Sequence, residues 1–381
     1  MNPTKTIIHS PEAYAELITK AIEGGIAEHF AIIHAETAFA RFDEQLNAVM
    51  GAFEQLKARL EGSVCVFSRF FLSDVANQAS QVRQASGEMG CAVSIIGQPP
   101  LDGTKVALLA YFVDGASLSR LGNGTVVASH GGYRHYWSCT NANPFASSYS
   151  ETHALLNNFS DTLKANGMTM ADNCLRTWFF VDNIDINYHG MVKARNEMFR
   201  LNGLTEATHY IASTGIAGRN ANPEASVTAD FYGIEGVAQQ QIRHLYASDN
   251  LSRTSLYGVS FERGTAVDYG DRRHVFISGT ASIDHRGEVL HVGDIVGQTH
   301  RMIENVEALL AEAECSFADV GYVIVYLRDI ADYQVVMRLC GERFGALPLV
   351  VVNAPVCRPQ WLVEMECVAV KPIAAPQFPR F

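Results

Sequence analysis

The sequence lacks the cysteine and histidine spacings that mark disulfide scaffolds and metal sites. Its eight cysteines are scattered singly, without a C-x-x-C pair, and most lie in apolar runs where a free cysteine acts as a small hydrophobe. Its 13 histidines include no H-x-x-x-H or H-E-x-x-H placement, the spacing typical of zinc ligands on a helix. This pattern indicates a reducing compartment and gives no sign of a bound metal.

Positive charge and long apolar runs are also scarce. Lys and Arg total 29 against 40 for Asp and Glu, which gives a formal net charge of -11 and argues against binding of a phosphate backbone. No apolar stretch approaches the length of a membrane span, and MNPTKTIIHS lacks the basic start and apolar core of a signal peptide. GNGTVV lacks the G-x-G-x-x-G spacing of a dinucleotide loop. We therefore expect a cytoplasmic protein that binds neither nucleic acid nor membrane.

The chain does contain an internal repeat, and its hydrophobic content of 48% is ample for packed cores. In the last copy, HVFISGTASID (274–284) has the pattern of a strand, 298–315 that of an amphipathic helix, and 319–330 that of a buried strand. The same order recurs twice upstream, so the sequence predicts three β-β-α-β-α-β-β-like units. The alternative explanation of this similarity is coincidence among ordinary α/β patterns.

The predicted units have approximate boundaries. They span 1–130, 131–245 and 246–381, the last including a linker. The stretches 117–132 and 246–273 are rich in Gly, Ser and Asn, which is typical of linkers or lid-forming insertions.

One apolar strand near the end of the chain carries two carboxylates. In WLVEMECVAV (361–370), strand alternation places Glu364 and Glu366 on the same face. Apolar neighbours favour the neutral form of a carboxyl group, so Glu364 is a candidate proton donor near neutral pH. Alignment of the copies places Thr228 and Ala107 at the position of Glu364. Only the third unit therefore has a carboxyl group at this position. The alternative is that both glutamates lie on a solvated sheet face.

The last unit resembles the YjgF/Rid family through FISGTASID, the helix QTHRMIENVEALLAEAEC and LVEMECVAV. That family has a chorismate-mutase-like α+β fold and assembles as trimers with ligand sites between subunits. The resemblance implies that three fused copies form an intramolecular pseudo-trimer. Rid deaminases carry an arginine in the strand that here contains Leu349 and Val350, and this departure weakens imine or enamine deamination as a function.

A more specific resemblance covers roughly 130–370. RTWFFVDNID, HYIASTGIAG and APVCRPQWLVEME occur in the order found in the chorismatase family. These enzymes release pyruvate from chorismate without a metal or organic cofactor. The resemblance therefore implies a small dianionic substrate, chorismate, and no cofactor. It also implies that Glu364 protonates the enolpyruvyl group.

The remaining candidate residues would bind this substrate. A guanidinium binds a carboxylate bidentately and stays charged, although a lone arginine is more often part of a surface ion pair. Hydroxyl groups could bind the ring alcohol or a carboxylate. In the chorismatase pattern the cysteine position lines the pocket, and a cysteine there implies 3-hydroxybenzoate as product. The candidates are Arg358, Arg195, Arg176, Tyr210, Ser213, Thr214 and Cys357.

The sequence is also compatible with two other functions. One is a Rid-type imine or enamine deaminase, and the other is a non-catalytic protein that binds an anionic metabolite. Cys357 could also be a nucleophile, but no histidine lies near it in sequence and the expected reaction needs no covalent intermediate. We expect either a monomer with an internal pseudo-trimer or a weak homo-oligomer.

Overall fold

The structure is a computed structural model that describes residues 5–141 and 147–381. Its strands are β1 (Thr6–Ser10), β2 (Ala13–Lys20), β3 (Glu28–Ala35), β4 (Ser63–Leu72), β5 (Ala92–Ile96), β6 (Val106–Asp114), β7 (Ser117–Arg120), β8 (Val126–His130), β9 (Tyr133–Asn141), β10 (Cys174–Val181), β11 (Ala212–Ala217), β12 (Val227–Glu235), β13 (Ile242–Leu245), β14 (Gly264–Asp268), β15 (Arg272–Ala281), β16 (Val320–Leu327), β17 (Leu349–Asn353) and β18 (Val363–Pro372). Its α-helices are α1 (Phe42–Arg59), α2 (Val75–Ala85), α3 (Ser148–Ala165), α4 (Met170–Asn173), α5 (Ile184–Leu201), α6 (Ile295–Glu312) and α7 (Tyr333–Phe344).

The strands form three six-stranded sheets with one topology. Their orders are β1-β2-β3-β6-β4-β5, β7-β8-β9-β12-β10-β11 and β13-β14-β15-β18-β16-β17. In each sheet the fourth and fifth strands of the unit pair in parallel, while the other neighbours are antiparallel. The chain is thus an α+β protein of three tandem units, as the sequence predicted.

Each unit has one more leading strand than the sequence predicted. The stretch 117–132, interpreted as a linker, contains β7 and β8, which pair with each other and extend the second sheet through β9. The polar residues that suggested a linker belong to the exposed edge strand and its turn, whereas Val126 and Val127 are fully buried. The strands change sheet at 115–116 and 236–241, before the predicted boundaries at 130 and 245.

The three units surround a shared apolar centre. The helices pack on the outer faces of the sheets, for example α1 and α2 on the first sheet. The inner faces meet through aromatic side chains: Phe67 of the first unit stacks on Trp137 of the second at 4.8 Å, and Phe30 lies 6.0 Å from Tyr322 of the third. Contacts between β5 and β9, β11 and β15, and β16 and β3 close the ring. No helix within 5–141 or 147–381 is long and apolar enough to cross a membrane.

One backbone hydrogen bond recurs in all three units and fixes which positions are equivalent. It joins Ser73 N–H to Lys105 O (3.0 Å), Asp182 N–H to Ser226 O (2.8 Å) and Arg328 N–H to Leu362 O (3.0 Å). Two residues beyond each acceptor lie Ala107, Thr228 and Glu364, which agrees with the sequence alignment. The same bond makes Ser73, Asp182 and Arg328 equivalent positions.

Candidate active site

A cavity of about 190 Å³ lies between the second and third units. The second unit contributes side chains from α5 and β11: Tyr188, Arg195, Ser213 and Gly215. The third unit contributes residues from β15, β18 and the segments before β14 and β18, among them Phe261, Arg263, Gly279, Cys357, Arg358, Trp361 and Glu364. The cavity therefore depends on the fusion of two units.

Glu364 reaches the cavity from the middle of β18, where it pairs with Tyr326 on one side and Ala281 on the other. Its residue surface is 5% exposed. A register shift interrupts the β15–β18 pairing between Ile277 and Thr280, and irregularities of this kind redirect side chains beside active sites. A Cβ at Gly279 would overlap the Glu364 Oε1 atom, so glycine leaves the space that the carboxyl group occupies.

The same irregularity joins the two units. Gly279 N–H donates to Thr214 Oγ1 at 2.9 Å. Ser213 N–H donates to Ser278 Oγ at 2.9 Å, and that hydroxyl donates in turn to the Glu262 carbonyl at 2.6 Å. The ASTG segment of the second unit and the SGT segment of the third thus hold each other in place at the wall of the cavity.

The surroundings of Glu364 favour its neutral form. Burial, and then the nearby negative charge of Glu366, raise the pKa of Glu364 to about 8, although Arg263 and Arg176 oppose the rise. A carboxyl group with this pKa is mostly protonated at pH 7 and can act as a general acid. The alternative of a solvated sheet face is wrong for both glutamates, because Glu366 is only 2% exposed.

Glu366 lies in a buried ionic network instead of the cavity lining. Its carboxylate accepts hydrogen bonds from Arg176 Nη2 and Trp178 Nε1, both at 2.8 Å, and from Thr214 Oγ1 at 2.5 Å. Arg69 of the first unit lies 3.8 Å from the same carboxylate. All three units therefore contribute to this network.

Three arginines line the cavity. Arg195 lies on the buried face of α5, seven residues and two turns after Tyr188, and its Nη1 donates to Ser213 Oγ at 3.3 Å. The guanidinium carbons of Arg195 and Arg263 lie 5.6 and 5.4 Å from the centre of the Phe261 ring. Arg358 lies 4.7 Å from the Trp361 ring. The cavity thus combines one neutral acid with three cations, a composition suited to a small dianion.

Cys357 and Tyr188 form a weakly polar part of the wall. Burial, followed by the charge of Glu364, raises the pKa of Cys357 to about 12, while a hydrogen bond with Tyr188 acts in the opposite direction. The thiol is therefore protonated at neutral pH and is a poor nucleophile. Gly215 allows α5 to approach, because a Cβ there would lie 3.0 Å from Met191 Cε and 3.1 Å from the Tyr188 ring.

The structure brings most, but not all, of the predicted site residues together. Those that line the cavity are Glu364, Arg358, Arg195, Ser213 and Cys357. Thr214 lies behind the wall with its hydroxyl on Glu366. Two other candidates lie outside this lining: Arg176 forms a buried ion pair with Glu366, and Tyr210 lines a neighbouring cavity, where its backbone N–H donates to Glu262.

Sequence reasoning missed Arg263, Phe261, Trp361 and Tyr188. The first two lie in 246–273, whose polar composition was interpreted as typical of a linker or a lid-forming insertion. The segment before β14 instead forms a wall of the cavity, and the Glu262 N–H bonds to the Ile211 carbonyl at 3.0 Å. Tyr188 could have been found from its helical spacing, because a residue seven positions before Arg195 lies on the same face of the helix.

Comparisons with known proteins agree with this architecture. The family model described as Endoribonuclease L-PSP matches residues 265–371. A RutC family protein of Pyrococcus abyssi is 40% identical over 100 residues, which cover 26% of this chain and 78% of that protein. The 3-aminoacrylate deaminase RutC of Acinetobacter baylyi is 32% identical over 97 residues, or 25% of this chain and 77% of that protein.

A solved structure extends the similarity beyond the third unit. The crystal structure of a chorismatase superposes with a TM-score of 0.62 at 19% identity, covering 81% of this chain and 94% of that chain. At this identity the match concerns the fold, and it confirms the predicted resemblance at that level. The chain belongs to the RutC family through its third unit, and its three tandem YjgF/Rid-like units form an intramolecular pseudo-trimer with the fold of a chorismatase.

Proposed function

We propose that this protein is a cofactor-independent enzyme that cleaves chorismate and releases pyruvate. The observation that supports the proposal most strongly is Glu364: a buried carboxyl group with a pKa raised to about 8, in a cavity lined by three arginines. The chorismatase fold and the sequence motifs of that family agree with it.

The reaction requires a strong, positioned acid. Chorismate carries an enol ether, and protonation of its methylene carbon gives an oxocarbenium ion. Neutral Glu364 supplies this proton and becomes a carboxylate, which then stabilises the cation beside it. A pKa near the working pH keeps the acid form populated while leaving it acidic enough to transfer the proton.

The arginines bind the two carboxylates of the substrate. Arg195 and Arg263 both lie beside the Phe261 ring. Arg358 lies beside Trp361, on the segment that leads into β18. We assign Arg195, Arg263 and Arg358 as carboxylate ligands, because planar guanidinium groups stay charged and bind carboxylates with two parallel hydrogen bonds.

The second half of the reaction determines the product. Capture of the cation by water gives pyruvate and a dihydroxycyclohexadiene acid, and the atoms of one water enter the products. If the substrate's own ring hydroxyl adds to the cation instead, a cyclic ketal forms and the hydroxyl proton is released. Cleavage of the ring C–O bond of that hydroxyl oxygen, which takes up the released proton, and loss of a ring proton to Glu364 then make the ring aromatic. Collapse of the resulting hemiketal gives pyruvate and a hydroxybenzoate with no added atoms. We assign 3-hydroxybenzoate, because the neutral thiol of Cys357 borders the cavity in place of a group that would hold water firmly.

Incubation of the purified protein with chorismate tests the proposal. Pyruvate is measured with a coupled dehydrogenase, and the organic acids are separated by chromatography. Pyruvate with an equal amount of 3-hydroxybenzoate is expected. Pyruvate with the dihydroxy acid would overturn the product assignment alone, and an absence of pyruvate would overturn the enzyme assignment.

The RutC similarity of the third unit makes imine or enamine deamination the second candidate. The position where Rid deaminases carry their arginine is occupied by Leu349 and Val350, and its equivalents on β11 are Ser213 and Thr214. Arg195 approaches Ser213 from α5 instead. Hydrolysis of 2-iminobutanoate or 3-aminoacrylate at a rate above that of chorismate turnover would favour this candidate. Tight chorismate binding without product would favour a non-catalytic binding protein.

We also propose a cytoplasmic location and a monomeric state. All eight cysteines are free thiols, which suits a reducing compartment. The ring of three units is completed within one chain, so the cavity needs no second copy. Size-exclusion chromatography with light scattering should give a mass near 41.7 kDa.

A further inference from the structure

A second cavity, of about 330 Å³, lies between the first and second units. It is bordered by β5 and the end of α2 from the first unit and by β9 and β12 from the second. These elements correspond in topology to β11, α5, β15 and β18, which border the candidate active site. The two cavities are therefore related by the internal repeat.

Individual positions show the same correspondence. Thr228 lines the second cavity and is the equivalent of Glu364. Each lies two residues beyond the carbonyl that accepts the recurrent backbone hydrogen bond, which Asp182 N–H donates in the second unit and Arg328 N–H in the third. The second cavity consequently has no acid at the catalytic position. It keeps the geometry of a ligand site without the group that the proposed reaction needs.

The third interface of the ring differs from both. There the backbone N–H of Leu101 bonds to the Val351 carbonyl at 3.0 Å, and Asn353 N–H bonds to the Pro99 carbonyl at 2.8 Å. The Asn353–Pro99 bond has counterparts at the other two interfaces, where Gly97 N–H bonds to the Arg219 carbonyl at 2.9 Å and Ala217 N–H to the Pro355 carbonyl at 3.1 Å. The Leu101–Val351 bond is the difference, because it extends the pairing further along β17. An open cavity is retained at the interface of the first and second units, where no backbone bond from the described residues of the second unit reaches Ile95, the β5 residue that corresponds to Val351.

The second cavity carries uncompensated positive charge. Arg83 and Arg120 line it, and no carboxylate among the described residues lies within 4 Å of either guanidinium. Arg120 donates to the carbonyls of Cys91 (3.1 Å) and Gly124 (3.3 Å), which fix its position but do not neutralise it. The one carboxylate in the lining, Asp230, is paired with Arg69 at 2.9 Å.

A buried hydroxyl and an apolar wall complete the site. Ser94 is 2% exposed, and its Oγ has no hydrogen-bond partner among residues 5–141 and 147–381. A buried polar atom without a partner costs free energy unless a ligand or water satisfies it. Val93 and Ile95 flank Ser94 on β5 and provide apolar surface. Two cations, a hydroxyl and an apolar wall suit a ligand that joins a carboxylate to a ring.

We propose that the cavity between the first and second units is a second ligand site, which binds a small cyclic or aromatic carboxylate without converting it. Arg83 and Arg120 bind the carboxylate, Ser94 supplies a hydrogen bond, and Val93 with Ile95 contacts the ring. The inference concerns binding alone and stands independently of the chorismate-cleaving activity.

Equilibrium dialysis of the full chain against radiolabelled benzoate tests the inference, with benzamide as the neutral probe of the same shape. We expect a benzoate site whose affinity falls at least tenfold in the Arg83→Met/Arg120→Met double variant but is retained in the active-site variant Arg195→Met. Arg59→Met, an exposed arginine on α1 outside the cavity, is the matched control and should bind as the unsubstituted protein does. Benzamide should not compete.

Thermal unfolding shows whether the double variant is folded, and Ile95→Trp, which fills the cavity without removing a charge, provides a second test. Ile95→Trp should also remove this site. The inference is wrong if no benzoate binds at millimolar concentration, or if all binding disappears in Arg195→Met and persists in both cavity variants. Chorismate turnover measured on the same samples reports separately on the proposed activity.

Discussion

Glu364 and Glu366 lie two residues apart on the same face of β18 and have opposite surroundings. Glu366 accepts hydrogen bonds at 2.8 Å from Arg176 and Trp178. Glu364 faces a cavity, and burial together with the charge of Glu366 raises its pKa to about 8. Two carboxyl groups whose environments differ in this way suit different roles. We interpret Glu366 as a fixed structural anion and Glu364 as the proton donor.

The raised pKa of Glu364 predicts the pH dependence of the reaction. The reacting form is the neutral acid, so kcat/KM should be constant below the pKa. It should begin to fall as the pH approaches about 8 and should fall tenfold per pH unit above that value. The pH profile of pyruvate release checks this, with enzyme stability verified at each pH. A rate that rises between pH 6 and 9 would contradict an acid role for Glu364.

Substitution of Gly279 should disturb the acid directly. A Cβ at this position would overlap Glu364 Oε1 and lie 3.0 Å from Thr214 Cγ2. Gly279→Ala should therefore lower kcat by at least about tenfold, because displacement of a catalytic group by even 1 Å is costly. Gly51→Ala on α1 is the control: nothing lies within 4 Å of that added Cβ, and stability should rise by about 0.5–1 kcal/mol. Full activity in Gly279→Ala would show that this glycine does not set the position of Glu364.

The Glu366 network should contribute mainly to stability. Glu366→Gln removes a buried charge and leaves Arg176 without its ionic partner, which should lower the free energy of unfolding by about 3–5 kcal/mol. Glu307→Ala breaks an exposed ion pair with Arg343 and should cost at most about 1 kcal/mol. Urea unfolding measures both. Equal effects of the two substitutions would contradict a special role for the buried network.

The product assignment depends on Cys357. Cys357→Ala enlarges the cavity beside Glu364 and makes room for a water molecule. We expect the share of dihydroxy acid among the products to increase, with total pyruvate release within about tenfold of the original. Chromatography of the organic acids reads the ratio. An unchanged ratio would mean that other residues decide between the two routes.

The fold could be predicted largely because the repeat appears in the sequence itself. Apolar periodicity located β16, β10 and β4 and the helices between them. One leading strand of each unit was not predicted, because strands such as β7, with its exposed SLSR, have no alternating apolar pattern. Their place in the sheet is set by pairing with β9 and its partner strands, which composition does not reveal.

The site could be predicted only in part. Glu364 and Cys357 follow from an apolar strand and a specific motif, and Arg195 and Ser213 from the resemblance. Local sequence cannot show that Arg176 forms a hydrogen-bonded ion pair with Glu366, because the two residues are 190 positions apart. Arg263 lies in a polar segment, and this segment forms a wall of the cavity only because it packs against β11. Its composition does not show that contact. Contacts between units decide these assignments, and sequence spacing does not encode them.

The most direct test of the account is pyruvate release from chorismate by Glu364→Gln. Glutamine keeps the size of the side chain but cannot donate the proton, so the rate should fall by about 10²–10⁴-fold while thermal stability and chorismate binding persist. Thr228→Ala, at the equivalent position of the second unit, should leave the rate unchanged. Pyruvate release by Glu364→Gln at the original rate would contradict the central claim that Glu364 is the acid.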